Sequence, residues 1–141
     1  MLRSRHKLLS PIREMAHKNK DNISFYEFID RTCMAMDESK NLLFYCTYVN
    51  EKKIIKRIDL NMVLSAEIEH LKKTDPKSKK EQTFYLGINL YKYNARSPFE
   101  RLMTYDREIS PNCPPEFGET EKWNRLINTR TFDNFTAHVM E

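Results

Sequence analysis

The amino-acid sequence predicts an α+β domain in which an antiparallel β-sheet is closed by a C-terminal helix. The clearest sign of the sheet is the segment Thr83 to Tyr93, where apolar and polar side chains alternate. One side of this segment carries four apolar residues: Phe84, Leu86, Ile88 and Leu90. The other side carries Tyr85, Gly87, Asn89, Tyr91 and Tyr93. A period of two predicts a half-buried strand, and one apolar face beside one polar face is typical of an antiparallel sheet.

The closing helix is predicted from the segment that begins at Glu119. Glu119 and Glu121 are acidic residues of the kind that favour a helix N-terminus. Three apolar residues then share one helical face: Trp123, Leu126 and Ile127. Three more continue the apolar pattern, either as a last helical turn or as a docked tail: Phe132, Phe135 and Val139. The prolines of Ser110–Gly118 predict an irregular connection before the helix.

Strand-forming segments and polar turns alternate in the middle of the chain. We predict four further strands, at Leu42–Val49, Ile54–Leu60, Val63–Lys72 and Arg101–Ile109. The polar run Lys73–Glu81 then predicts a hairpin that joins the strand before it to the strand from Thr83.

The segment Thr32–Met36 is open to two interpretations. It either continues a preceding helix or forms a strand that pairs back through the turn-forming residues Asp37–Asn41. We favour the hairpin because Leu42–Val49 is rich in strand formers and needs a partner strand.

Two short helices are predicted before the sheet. Ser10 followed by Pro11 is a typical helix start, and Ile12, Met15 and Ala16 form a narrow apolar stripe behind it. This pattern predicts a short, basic, peripheral helix.

The second short helix is expected to begin at Phe25. Ser24 and Glu27 have the spacing of a capping box, and Ile23 and Phe28 occupy the positions of a hydrophobic staple.

Length and composition indicate one domain of ordinary size. The chain has 141 residues, which we divide into a basic N-terminal arm or helix (1–22) and a single folded domain (23–141). With two glycines in the whole chain, a Gly-rich phosphate-binding loop is not expected. Residues 1–20 hold six basic residues against one acid, whereas the remainder holds 18 basic against 19 acidic residues. The excess positive charge therefore lies in the N-terminal segment.

Two stretches resemble the pleckstrin-homology-like superfamily. Ile58–Ser65 is similar to the stretch of the form hydrophobic, x, Leu, two more residues, Val, x, Ser that is common in the middle of such domains, and Glu121–Ile127 is similar to their closing helix with its Trp. The resemblance runs from near Arg31 to near Arg130 and implies a bent antiparallel sheet closed by a C-terminal helix. Phosphoinositide-binding members carry a basic motif across their first hairpin, a place held here by the partly acidic Asp37–Asn41. Inositol-phosphate recognition by that route is therefore not expected, and many relatives bind peptides or neighbouring domains instead.

Two groups of basic residues are candidate contacts with phosphates or lipid head groups. The first group clusters on one hairpin loop, with Asp75 between its members: Lys72, Lys73, Lys77, Lys79 and Lys80. The second lies in the N-terminal arm, where a polybasic segment before a domain is typical of a membrane-adjacent position: Arg3, Arg5, Lys7 and Arg13. A solvated surface is the alternative interpretation of both groups.

Other patterns carry weaker indications. Aromatic and positive side chains that could stack on single-stranded nucleic acid occur together on one predicted strand: Tyr85, Tyr91, Tyr93 and Lys92. Nucleic acid is nevertheless not expected as a partner, because the domain outside the arm is nearly neutral. The three cysteines and the histidines lack metal-ligand spacing: Cys33, Cys46, Cys113 and His70. The tripeptide Glu51-Lys52-Lys53 fits an acid-x-Lys pattern found in some nucleases, but it lies in a predicted turn.

The sequence thus predicts a non-enzymatic binding or adaptor domain that needs no cofactor. Its expected partner is a protein or an anionic membrane surface. The odd number of widely spaced cysteines is typical of a reducing compartment, which indicates the cytoplasm or the cytoplasmic face of a membrane. The alternative is a small cystatin-like or NTF2-like enzyme with a pocket between a helix and a curved sheet.

Overall fold

Two antiparallel sheets and two long helices make up the fold. The computed structural model describes the backbone of residues 2–111 and 113–140 and the side chains of residues 5–111 and 113–131. The first helix is α1 (Leu2–Lys18) and the last is α2 (Phe117–Met140). Seven strands lie between them: β1 (Phe25–Ile29), β2 (Thr32–Asp37), β3 (Leu42–Val49), β4 (Lys52–Asp59), β5 (Ser65–Thr74), β6 (Glu81–Tyr91) and β7 (Glu100–Asp106).

Each sheet is a simple meander of neighbouring strands. The first sheet has the order β1-β2-β3-β4 and the second has the order β5-β6-β7, with antiparallel pairing throughout. A single 3₁₀ turn, Leu60–Met62, connects them, and the Asp59 carboxylate caps it by accepting the Asn61 N–H at 3.0 Å. Short polar turns allow this topology, because two antiparallel strands need only a tight hairpin between them. The predicted α+β class is confirmed.

The main core lies between the two sheets and α2. Trp123 is fully buried there, with its ring centroid 5.6 Å from that of Phe25. Both sheets contribute apolar side chains to this core: Met34, Met36, Leu43, Tyr45, Ile58, Ile88, Leu90 and Leu102.

A second apolar layer covers the opposite face of the first sheet. Leu8, Ile12 and Ala16 of α1 are buried, and their spacing of four residues places them on one side of the helix. They pack against the outer face of β2 and β3, on Cys33, Ala35, Leu42, Phe44 and Cys46. The first sheet is therefore buried on both sides, as a continuous apolar run such as β2 requires.

Most of the secondary structure predicted from Thr32 onward is confirmed, and the four further strands are found, with some ends shifted, as β3, β4, β5 and β7. The strand expected at Thr83–Tyr93 is found as β6, with Leu86, Ile88 and Leu90 buried. Thr32–Met36 lies in β2, so the hairpin interpretation was right. The closing helix buries Trp123 and Ile127. Its backbone continues helical to Met140, although the side chains of Phe132, Phe135 and Val139 lie outside the described residues.

The start predicted for the first helix was wrong. Helix α1 begins at Leu2 and passes through Pro11. A proline inside a helix leaves the carbonyl four residues earlier, here that of Lys7, without its usual donor. The Tyr48 hydroxyl donates to this carbonyl at 3.2 Å. The freed group thus keeps a partner, and the helix continues.

The helix predicted from Phe25 was also wrong, because this segment forms β1. The Ser24 hydroxyl accepts the Glu38 N–H at 2.9 Å, and Glu27 forms an ion pair with Lys122 of α2. Neither side chain caps a helix. The first hairpin of the domain is consequently β1–β2, with the turn Asp30-Arg31, whereas Asp37–Asn41 comprises the last residue of β2 and the turn to β3.

Candidate functional site

A buried carboxylate holds the C-terminal end of α1 to the first sheet. Asp21 follows the helix, and its side chain is fully buried. It accepts hydrogen bonds from Arg57 Nε at 2.7 Å, Arg57 Nη2 at 3.1 Å and Lys40 Nζ at 2.8 Å. The bond from Arg57 is the main reason that the pKa of Asp21 lies below its ordinary value. Lys40 also donates to the Lys20 carbonyl at 2.8 Å, so one ammonium joins the helix end to the β2–β3 turn.

A second buried carboxylate, Asp37, orders that turn. It accepts the Asn22 N–H at 2.9 Å, the Ser39 hydroxyl at 2.7 Å and the Lys40 N–H at 3.1 Å. Burial by itself raises the pKa of Asp37, but these hydrogen bonds outweigh burial and lower it. Both carboxylates are saturated with donors, so their role is to fix α1 rather than to bind a ligand.

Two of the predicted N-terminal contact residues lie along β1. The Arg5 guanidinium lies 5.2 Å from the centroid of the Phe28 ring, and that of Arg13 lies 5.6 Å from the centroid of Tyr26. Such stacking fixes the position of a guanidinium and leaves its N–H groups able to donate. Lys7 is exposed, and the side chain of Arg3 lies outside the described residues.

The β3–β4 hairpin adds two lysines to this region that sequence reasoning did not place there. Lys53 pairs across the ladder with Tyr48, whose hydroxyl contacts the backbone of Lys7, and Lys52 is its neighbour. We call Arg5, Lys7, Lys52 and Lys53 the basic end. All four are exposed, and within the described part of the chain none has a carboxylate within 4 Å. Placing the two hairpin lysines near α1 requires the register of β3 against β4, which the sequence does not reveal.

The predicted lysine loop spans the end of β5 and the β5–β6 connection. The Asp75 carboxylate accepts the Lys77 N–H and the Ser78 hydroxyl, each at 3.0 Å, and these bonds lower the pKa of Asp75. Lys73 lies with its ammonium 3.8 Å from the centroid of the Phe84 ring, and Lys72 is 4.0 Å from a Glu81 oxygen. Lys77, Lys79 and Lys80 are exposed. The predicted five-lysine cluster is therefore divided, with two side chains turned to their own hairpin.

The tyrosines of β6 do not form one stacking surface. The Tyr85 side chain lies over Gly87, where a Cβ would stand only 2.7 Å from the Tyr85 hydroxyl and 2.9 Å from the Leu102 carbonyl oxygen. Tyr93 lies in the turn after β6 and is 71% exposed, and the Lys92 ammonium lies 4.9 Å from the centroid of the Phe99 ring. The close approach at Gly87 gives Tyr85 a packing role.

The cysteines and His70 are dispersed or buried. Cys33 and Cys46 are paired residues on β2 and β3, and both are free thiols beneath α1. Burial raises the pKa of Cys33 to about 12 and that of Cys46 to about 11, so both remain protonated at neutral pH. His70 Nε2 lies 2.7 Å from the Thr83 hydroxyl. The described residues contain no group of three side chains that could hold a metal ion.

Open grooves lie at two places on the surface of the described residues. One, of about 550 Å³, lies between the end of α1 and the start of β1 and includes Arg13, His17, Ser24, Phe25 and Tyr26 in its walls. The other, of about 290 Å³, lies beside the end of β7 and includes Arg107.

Neither external comparison nor hydropathy adds a functional assignment. No match for this chain was found among protein-family models, curated proteins or solved structures. Among the described residues, neither helix has a stretch that is both long enough and apolar enough to cross a bilayer. A function can therefore be inferred only from the surfaces of the chain described above.

Proposed function

We propose that this chain is a non-enzymatic binding domain of pleckstrin-homology-like architecture whose basic end faces an anionic membrane surface. Support for the architecture comes from the four-stranded and three-stranded antiparallel sheets and from the C-terminal helix whose Trp123 fills the space between them. The first hairpin, which carries the basic motif in phosphoinositide-binding members, here has the turn Asp30-Arg31. The proposed membrane contact therefore depends on another surface.

The observation that carries the proposal is that exposed basic residues without ion pairs come from two elements, α1 and the β3–β4 hairpin, that contact each other through Tyr48. Several basic side chains elsewhere are held in ion pairs with acids: Lys40, Lys56, Arg57, Arg101, Lys122 and Arg130. The four cations of the basic end come from α1 and from the β3–β4 hairpin, which the Tyr48 hydroxyl joins to the Lys7 carbonyl at 3.2 Å, and among the described residues none of the four has a carboxylate within 4 Å. Each basic residue near an anionic surface contributes about 1 kcal/mol of attraction.

Packing favours a surface-binding role over the enzyme alternative. A cystatin-like or NTF2-like pocket would lie between a helix and the sheet. Here the space beneath α1 is filled by its apolar stripe and by Cys33, Phe44 and Cys46, all fully buried. The space between the sheets is filled by Trp123. The free Cys33 and Cys46 thiols additionally support a reducing, cytoplasmic setting.

Co-sedimentation of the full chain with phospholipid vesicles tests the proposal. We expect binding to vesicles that contain phosphatidylserine, weakened by salt, and no binding to phosphatidylcholine alone. The variant carries Lys7→Gln, Lys52→Gln and Lys53→Gln, and should lose roughly a hundredfold in membrane partition. The matched control carries Lys77→Gln, Lys79→Gln and Lys80→Gln on the lysine loop and should bind like the unmodified chain.

The full chain is required because α1 covers Phe44 and Cys46, so a deletion of residues 1–20 would expose an apolar face. Circular dichroism should show that both triple variants unfold at the temperature of the unmodified chain. Loss of binding in the loop control alone would move the membrane contact to the β5–β6 turn. Absence of binding to any vesicle would contradict the proposed membrane contact.

A further inference from the structure

The outer edge of β1 has backbone groups with no partner. Within the described chain β1 pairs only with β2. Its two-residue turn makes Ile29 and Thr32 a hydrogen-bonded pair, and such pairs alternate with non-bonded ones along an antiparallel ladder. The peptide N–H and C=O groups of Tyr26 and Phe28 therefore point away from β2. An edge of this kind is able to accept a further strand.

Charged side chains flank this edge differently on its two sides. On the α1 side, Arg13 lies over Tyr26 and Arg5 over Phe28, and neither guanidinium has a carboxylate partner among the described ion pairs. On the α2 side, Glu27 is already paired with Lys122. The positive charge available to a ligand is thus confined to one side of the strand.

Open space adjoins the start of β1. The groove of about 550 Å³ runs beside Ser24, Phe25 and Tyr26 and is bordered by Arg13 and His17. The Tyr26 side chain is 40% exposed. The edge is therefore accessible at the point where Arg13 lies over it.

We propose that the β1 edge binds an extended segment of a partner protein that carries acidic side chains at alternate positions. The segment adds to the sheet beside β1, and main-chain hydrogen bonds to Tyr26 and Phe28 supply the contact common to all such peptides. Side chains alternate along an added strand. Those on the α1 side meet Arg5 and Arg13, and those on the α2 side meet Phe25 and the already neutralised Glu27. An acidic residue alternating with an apolar one matches both sides.

A second copy of this chain fits the same edge poorly. In an antiparallel β1–β1 pair centred on Glu27, the two Glu27 residues would lie side by side. Tyr26 of one copy would lie beside Phe28 of the other, which would bring Arg13 next to Arg5. Like charges directly opposite each other destabilise strand pairing, whereas an acidic segment meets these arginines with opposite charge.

The experiment uses a short synthetic peptide in which glutamate alternates with valine, labelled for fluorescence anisotropy with the full chain. A peptide with lysine in place of glutamate controls for charge. A glutamate–valine peptide with N-methylated backbone keeps the charge but lacks main-chain donors. We expect binding of the first peptide only. Equal binding of the N-methylated peptide would overturn strand addition, and dimerisation of the chain in light scattering with no peptide binding would assign the edge to a second copy.

Two further measurements locate the contact. Amide hydrogen exchange should show that the Tyr26 and Phe28 N–H groups become protected when the peptide binds, while that of Glu27 is protected from the start. Arg13→Glu should weaken peptide binding by about fivefold or more, and Lys18→Glu, the same charge change on an exposed residue of the same helix, should not. Unchanged exchange at Tyr26 and Phe28 in the saturated complex would refute the inference. Because Lys7, Lys52 and Lys53 are retained in every variant here, the outcome is independent of the membrane experiment.

Discussion

Helices α1 and α2 pack on different sheets and by different means, α1 on the outer face of the first sheet and α2 mainly on β5 and β6 of the second. Helix α2 inserts Trp123 into the core shared by both sheets and adds Ile127 beside it. Helix α1 lays Leu8, Ile12 and Ala16 on one sheet only, against small side chains such as Cys33 and Ala35. Its C-terminal end is then held by the Asp21 carboxylate, Arg57 and Lys40.

This difference indicates that α2 is part of the main core, whereas α1 is attached to the outside of the first sheet. Removing α2 would open the core between the two sheets on one side. Removing α1 would uncover the outer face of one sheet. The attachment of α1 depends in addition on charge, which makes it sensitive to acid, whereas the attachment of α2 at Trp123 is apolar.

The largest effect is expected from Trp123→Ala. The substitution removes a fully buried indole from the core between the sheets, and such truncations cost about 3–5 kcal/mol in the free energy of unfolding. Urea unfolding followed by circular dichroism measures it. Leu126→Ala, on the same helix but only partly buried, is the matched control and should cost less. A loss in Trp123→Ala no larger than in the control would show that α2 does not close the core.

A smaller loss is expected from Ile12→Ala. Ile12 is fully buried under α1, and removing its branched side chain should cost roughly 2–3 kcal/mol, near the low end for such changes. Because α1 packs on one sheet only, we expect the loss of stability to be confined to α1. Amide exchange should speed up in α1 while β6 stays protected. Equal acceleration in both elements would mean that α1 unfolds only with the whole domain.

The charged attachment is tested by Asp21→Asn, with an expected loss of about 2 kcal/mol at neutral pH. The pKa of Asp21 lies below its ordinary value of 3.8 in the folded chain, and Asp37 is shifted in the same direction. Their stabilisation is therefore complete above the unfolded value and is lost as the pH falls through the lower folded value. Unfolding free energies measured from pH 7 down to below 4 should fall less steeply in the variant. A parallel pH dependence of variant and unmodified chain would contradict the assignment.

The smallest effect is expected from Glu27→Gln. This change removes the ion pair between β1 and Lys122 of α2, but Lys122 is about half exposed and has Glu119 as a second partner. Solvent screening makes such surface pairs weak contributors to stability. The urea midpoint should stay where it is in the unmodified chain. A shift as large as that of Asp21→Asn would show that α2, like α1, is held by charge.

Prediction from sequence succeeded where the structure is local and failed where a distant residue supplies the partner. The alternation of β6 and the apolar face around Trp123 are visible within one segment, so both were predicted. The start of α1 was missed because Tyr48, 41 residues along the chain from Lys7, satisfies the carbonyl that Pro11 leaves free. At the start of β1, Ser24 and Glu27 have the spacing of a capping box. The Ser24 hydroxyl instead accepts the Glu38 N–H, and the Glu27 carboxylate pairs with Lys122.

The candidate surfaces show the same division. The concentration of positive charge near the N-terminus could be read from the sequence, and Arg5, Lys7 and Arg13 were named from it. The link from Lys7 through Tyr48 to Lys53 depends on which residue of β3 faces which residue of β4. The open edge of β1 could not be anticipated at all, since the segment was expected to be a helix.

The sequence by itself determined the α+β class, the order of the strands from Thr32 to Asp106 and the helix that closes the main core. Periodicity and turn chemistry act between near neighbours, so they can be read without a structure. Only the tertiary structure decided that α1 runs through Pro11, that Phe25–Ile29 is an edge strand and that Arg13 lies over Tyr26. Each of these depends on a hydrogen bond, a strand pairing or a ring contact between segments far apart in the chain, because folding satisfies polar groups and buries apolar ones wherever a partner lies in space.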